Sequence, residues 1–181
     1  AEQTYLKDSY GLDGNLLVSA TEFNQLYLRN VCGWLKIQLK GEGQVVKKVT
    51  LKGNNGEQVA GEIYINTADA TSILAAEMGF SSDHTQVGGT MVEDDTIFTE
   101  VTLNCGEGVT LTNEPTNFDF AIPAGNYEAG FALTIIDSNN KQQSVTAYAN
   151  GKEVKAGVIT NMPALAVNCR GILVNAYIRM G

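Results

Sequence analysis

Residues 26–65 read LYLRNVCGWLKIQLKGEGQVVKKVTLKGNNGEQVAGEIYI, and this stretch decides the fold class. It divides into three apolar runs rich in Val, Ile, Leu, Thr and Tyr, each closed by Gly or Asn, as strands closed by turns are. In the third run Val59, Ile63 and Ile65 share a face with Gly61, while Gln58, Glu62 and Tyr64 share the other. That period of two is the mark of a half-buried strand. The second run places Val45, Val49 and Leu51 inward and Lys48 and Lys52 outward, with Lys47 out of step and expected at an edge or snorkelling. Between these two runs Gly53-Asn54-Asn55-Gly56 predicts a tight hairpin, because Asn and Gly tolerate positive φ. The first run switches face near Gly33: Leu26, Leu28, Cys32 and Trp34 are even, whereas Leu35, Ile37 and Leu39 are odd. Two readings account for the switch, a β-bulge at Gly33 or a central strand covered on both faces.

Outward from this block, residues 1–14 are polar and Gly-containing and read as an arm or a loop, and 16–20 (LLVSA) as a short first strand. At most one short helix is expected, near 69–78, capped by Asp69 and stopped by Gly79 but too short to hold without packing, with GFSSDHTQVGGT after it as a loop. Alternation returns with Ile97, Val101, Leu103 and Cys105, and a separate short strand with Val109 and Leu111 follows Gly106-Glu107-Gly108. Phe118, Phe120 and Ile122 alternate up to Pro123, and Ala124-Gly125-Asn126 turns the chain. Phe131, Leu133 and Ile135 alternate up to a turn at 137–140, from which 145–149 pairs back. Asn150-Gly151 is a further hairpin signal, and Leu165, Val167 and Cys169 mark a late strand before 171–178. Short strands at close spacing predict an all-β fold, a β-sandwich or Greek-key barrel. The organisation expected is an arm and first strand over 1–25 and a sandwich over 26–181, as one domain or two packed β-subdomains with a break near 66–96.

A chain of 181 residues with 44% hydrophobic content can bury a core. Twelve basic against twenty acidic residues give a net charge of −8, which disfavours nucleic acid or an anionic membrane as partner. The opening AEQTYLKDSY has neither a charged n-region nor an apolar h-region, so the expectation is a cytoplasmic protein or one whose leader has been removed. Cys32, Cys105 and Cys169 are too far apart in sequence for a CxxC pair, and a single histidine argues against a zinc site. Small buried thiols are expected, with a Cys32–Cys105 bridge as the alternative.

Motifs for catalysis are missing: there is no GxSxG elbow and no phosphate-binding GxxxxGK[ST] loop. His84 lies in a Ser-rich loop, a poor mount for a general base. Glu93-Asp94-Asp95 lacks the alternating ligand spacing of a calcium loop, and Asp119 and Glu128 read as outward strand charges rather than a carboxylate pair. Trp34, Tyr64 and Tyr148 offer aromatic faces for a sugar platform, although packing explains each equally well. The expectation is therefore no enzyme, no cofactor and no metal.

The stretch FNQLYLRNVCGWLKIQLKGEGQVVKKVTLKGNNGEQVAGEI, residues 23–63, resembles the fimbrillin-like surface proteins of Bacteroides-type bacteria. So does VTLNCGEGVTL followed by FDFAIPAGNYEAGFALTIIDSNNKQ, and, more weakly, GVITNMPAL; together these span about 15–167. They are motifs of strands and turns. The resemblance implies a transthyretin-like β-sandwich and export as an outer-membrane lipoprotein, attached only through a lipid anchor that precedes the mature chain. It implies a fimbrial subunit, a tip or anchor protein, or an adhesin, with a surface glycan-binding module as the alternative. Implied partners are other subunits joined by strand exchange, or surface glycans and proteins. This sequence carries neither the signal nor the lipidated Cys of such a lipoprotein, so a truncated or processed form is expected, and without the strands that family members carry further upstream a complete two-domain fimbrillin is not expected. Asp95-Thr96-Ile97 resembles the O-glycosylation acceptor of the same bacteria, with Thr96 as the acceptor.

The last stretch, GILVNAYI, is apolar on both faces: Ile172, Val174, Ala176 and Ile178 on one, Leu173 and Tyr177 on the other. Leaving it in water costs about 25 cal/mol per Å² of apolar surface. Two readings follow, an inner strand that closes its own sheet, or a strand donated to a neighbouring molecule.

Overall fold

The computed structural model describes residues 1–11, 14, 17–18, 28–61, 97–149 and 151–169. The expected helix at 69–78, the strand residues Ile63 and Tyr64, Thr96, and the stretch 171–178 lie outside the described residues. Fourteen strands are present among those described: β1 Glu2–Thr4, β2 Leu17–Val18, β3 Arg29–Asn30, β4 Cys32–Lys40, β5 Val45–Gly53, β6 Ala60–Gly61, β7 Ile97–Phe98, β8 Glu100–Thr110, β9 Thr116–Pro123, β10 Gly125–Tyr127, β11 Phe131–Asp137, β12 Gln142–Tyr148, β13 Lys152–Val154 and β14 Ile159–Ala166. The fold is an all-β sandwich. A five-stranded sheet, β1-β8-β5-β11-β12, packs against a three-stranded sheet, β14-β4-β9, and three two-stranded ladders, β10-β13, β2-β3 and β6-β7, complete it.

The core forms where the inward sets of the two large sheets meet. Val49 and Leu51, Val101 and Leu103, and Phe131, Leu133 and Ile135 come from one; Leu35, Ile37 and Leu39, and Phe118, Phe120 and Ile122 come from the other. All are shut off from solvent, and burying each such side chain contributes roughly 1.5–3 kcal/mol. Alternation produced these contacts directly, since only every second residue of a strand can face the partner sheet.

Neighbours in sequence are not always neighbours in a sheet. β4 and β5 follow one another, but belong to opposite sheets, and the chain crosses between them at 41–44. The turn at 53–56 is present, with the Gly56 N–H donating to the Gly53 carbonyl at 3.3 Å and Gly56 at φ 75°. It does not make the expected hairpin, because β6 pairs with β7 rather than with β5. Likewise β10 and β13 leave the main sheets to pair with each other, Gly125 with Val154 and Tyr127 with Lys152. The pairing of β11 with β12 around the 137–140 turn is as expected; Asp137 Oδ1 accepts from the N–H groups of Asn139 and Lys141 at 2.8 and 2.7 Å.

Lys47 is out of step for a structural reason. Opposite it β8 bulges, so that Val46 faces Val109 but Lys48 already faces Asn104. Gly106 and Gly108 take positive φ in the bulge, and Lys47 Nζ donates to the Gly106 carbonyl at 3.0 Å. Consequently 100–110 is one bulged strand and not the two separate strands expected. β5 itself also bulges against β11, where Asp137 faces Val46 and Ile136 already faces Lys48, and this turns over its alternation so that Val46, rather than Val45, is the fully buried residue.

There is no bulge at Gly33. The register of β4 against β9 runs unbroken from Cys32↔Pro123 to Leu39↔Thr116. β4 is the central strand of its sheet, and its outer face is covered at Trp34 by the N-terminal arm. Gly33 is required by close approach: an added Cβ would lie 2.4 Å from the Lys155 carbonyl oxygen. The arm itself contains a strand that its polar sequence concealed, since β1 lies parallel along β8.

Candidate functional site

A sandwich of open sheets has edges, and edges present unpaired N–H and C=O groups that recruit other strands. The described sheets treat their edges differently. At the β9 edge, Gln3 reaches across from β1: its Nε2 donates to the Ala121 carbonyl at 2.6 Å and its Oε1 accepts from the Ala121 N–H at 3.1 Å. A side-chain amide thus stands where a neighbouring strand's peptide would. The other edge of the same sheet has a matching clip. Gln143 on β12 donates to the Ala166 carbonyl at 3.1 Å and accepts from the Asn168 N–H at 2.6 Å. Tyr148 adds a hydroxyl bond to the Pro163 carbonyl at 2.5 Å. Both ends of the small sheet are therefore stitched to the edge strands of the large one. The sequence carries no signal for either glutamine, because the partners lie 118 and 23 to 25 residues away.

The outer face of the small sheet carries polar and charged side chains under the arm. The register sets Trp34 beside Ala121 and Ile159, and Lys36 beside Asp119 and Asn161. Tyr10 stacks on Trp34 with ring centroids 4.8 Å apart and planes 13° from parallel. Trp34 is only 7% exposed, and its buried Nε1 has no hydrogen-bond partner among the described residues. Asp119 is almost fully buried; desolvation raises its pKa, and Asp8 adds to the rise against the lowering effect of Lys36. Tyr5 packs on Phe118 at 5.2 Å, and burial raises its hydroxyl pKa as well.

Of the three aromatics singled out as sugar contacts, two are described, and the fold separates their roles. Trp34 has one ring face taken by Tyr10, while Tyr148 is buried and its hydroxyl is tied to Pro163. A sugar ring on Trp34 would have to displace Tyr10. Tyr64 and the acceptor Thr96 lie outside the described residues, as do Ile172, Leu173, Val174, Ala176, Tyr177 and Ile178.

All three cysteines are free thiols, Cys105 and Cys169 buried and Cys32 half-buried. Burial pushes the Cys32 thiol up to about 11 and the Cys105 thiol up to about 12. Among the described residues no group of three or more His, Cys, Asp or Glu side chains is placed to hold a metal ion, and no helix is long and apolar enough to cross a membrane.

No family model matches the chain, and no curated protein matches it. Among solved structures, the chain is similar to a candidate cell adhesion protein from Bacteroides fragilis, with a TM-score of 0.36 and 12% identity over 80% of this chain. The chain spans 44% of the length of that structure.

Proposed function

We propose that this chain is a non-enzymatic structural or adhesive protein of a bacterial surface, a fimbrial subunit or a fimbrial tip or anchor protein, exported and held at the outer membrane by a lipid anchor outside this sequence. Its partners on this reading are other subunits joined by strand exchange. The supporting observation is the construction of the small sheet: three strands facing five, with both edge strands held, among the described residues, by side chains of Gln3, Gln143 and Tyr148. An extended segment from a neighbour adds to such an edge through main-chain hydrogen bonds. A surface glycan-binding role draws less support, because the Trp34 and Tyr148 rings are packed inside the fold.

The test is to express the complete reading frame in a Bacteroides-type host with an epitope in an exposed turn, then shear the cells. The reading expects the chain in the sheared surface fraction, in species larger than a monomer that survive mild detergent. Recovery in the cytosol alone would overturn it.

A further inference from the structure

We propose that the outer edge of β14 from Val158 to Asn161 pairs with the same edge of a second copy of this chain, antiparallel about a two-fold axis at Thr160. This goes beyond the surface-protein reading and does not depend on it.

The first observation is that this edge lacks the guards the others carry. β1 is only three residues long. The edge of β9 is clipped by Gln3 at Ala121 and carries the Asp119 charge. β12 has a register irregularity against β11 and polar exposed residues at Gln142, Ser144 and Thr146. Short length, charge, bulges and covering groups are the usual means of keeping edges from pairing. On β14 the clips begin only at Pro163, and Ile159 to Asn161 has no Lys, Asp, Glu or Pro.

The second observation is the direction of the backbone. The Trp34 N–H donates to the Val158 carbonyl, and Ile159, Thr160 and Asn161 lie in parallel register with Trp34, Leu35 and Lys36. Thr160 therefore turns its peptide groups toward β4, while Ile159 and Asn161 turn theirs away from it. Those outward groups have no partner among the described residues.

The third is that this short edge is self-complementary. In an antiparallel ladder, a hydrogen-bonded residue pair exchanges both of its N–H···O bonds. Setting Ile159 opposite Asn161 of the second copy makes one such pair, and the symmetry makes the other, four bonds in all by that geometry. The free length is bounded by the turn at Gly157, φ 72°, and by the register shift between Asn161 and Ala164. A longer partner strand would overrun both limits, whereas a second copy has the same limits in the same places.

The fourth is apolar surface on the strand itself. Val158 and Ile159 are 45% and 49% exposed. A Cβ added at Gly157 would lie 3.2 Å from the Asn30 side chain, and Asn30 pairs with Leu17, itself 41% exposed, so the β2–β3 ladder neighbours this end of β14. A contact of this size belongs to the small, weak class of interfaces, and the −8 charge on each copy opposes it. Association should therefore tighten as salt rises.

Sedimentation equilibrium of the whole chain, up to about 1 mM and at low and high salt, tests this. The proposal expects a monomer–dimer equilibrium favoured by salt. Ile159→Pro removes an outward N–H and leaves the ladder to β4 intact, so it should weaken the dimer at least about ten-fold. Ile159→Lys, which keeps the backbone donor and adds an edge charge, should act in the same direction, while Asn161→Ala should not. Thr160→Cys should form a cross-linked dimer on mild oxidation, because facing residues at the axis have Cα atoms about 4.5 Å apart. A monomer at every concentration would overturn the proposal. So would a dimer indifferent to both Ile159 variants, or a dimer in which Thr160→Cys does not cross-link.

Discussion

Gln3 and Ala121 sit 118 residues apart in the chain, yet they pair as two peptides would, the glutamine amide both donating to and accepting from a single residue's backbone. The contact joins the edge strand of the five-stranded sheet to the edge strand of the three-stranded one. It satisfies backbone groups that an edge strand would otherwise leave to water or to a stranger.

Removing this amide should cost stability. Gln3→Ala leaves a part-buried N–H and C=O without their partner, a loss of about 1–3 kcal/mol. Gln143→Ala at the opposite edge should cost a similar amount, and the double variant should show the sum to within about 0.5 kcal/mol, since the clips share no partner. Urea unfolding of the three variants measures this, and strong non-additivity would mean that the edges are coupled.

Trp34 is the only tryptophan in the chain, so its fluorescence reports on the arm. Tyr10→Ala should shift the emission to the red, raise acrylamide quenching and cost roughly 0.5–1.5 kcal/mol beyond the lost burial. An unchanged spectrum would place the arm elsewhere in solution.

Burial raises the Asp119 pKa in the fold, because desolvation outweighs the lowering effect of Lys36. Its native pKa stands above the unfolded reference of 3.8. The native state therefore binds its proton first, and as pH falls through that raised pKa toward 3.8 the site adds stability. Asp119→Asn should be more stable than the parent at pH 7 and should lose this acid-side gain. Denaturant midpoints of both proteins across the acid range decide it; a less stable Asn variant at neutral pH would show that the carboxylate is better satisfied than its burial implies.

The thiols give the opposite limb of the pH profile. Folding holds Cys32 at about 11 and Cys105 at about 12, against 9.0 in the unfolded chain, and it holds Tyr148 at about 12 against 10.0. The unfolded chain loses these protons first, so stability is intact below pH 9 and falls as pH rises through these native values. At neutral pH all three thiols should label slowly in the folded protein and quickly in denaturant. Rapid native labelling of Cys105 would contradict its place in the core.

What could be read from the sequence follows from what alternation encodes. Phe118, Phe120 and Ile122, or Phe131, Leu133 and Ile135, declare an inward face locally, and each set is in the core. Alternation does not say which strand lies alongside. The same pattern in β4 and β5 would suit a hairpin, yet they belong to opposite sheets. Lys47 was a true signal with an incomplete reading: it is the extra residue of β5 against β11 and also faces the bulge in β8, which only pairing reveals. β1 carries Glu, Gln and Thr and has no apolar stripe, so nothing marked it as a strand. The glutamine clips were silent because a polar residue on a short strand has no pattern, and their value comes wholly from distant backbone.

The account's central claim is that this sandwich is a surface subunit that takes part in strand exchange, and the most direct measurement uses the segment 171–181. The chain lacking it should be compared with the parent by thermal melting and sedimentation, with and without the GILVNAYI peptide. The account predicts a truncated chain that melts lower or self-associates, and that binds the peptide with recovery of the parent's melting temperature. A truncated chain that stays monomeric, melts like the parent and ignores the peptide would contradict it.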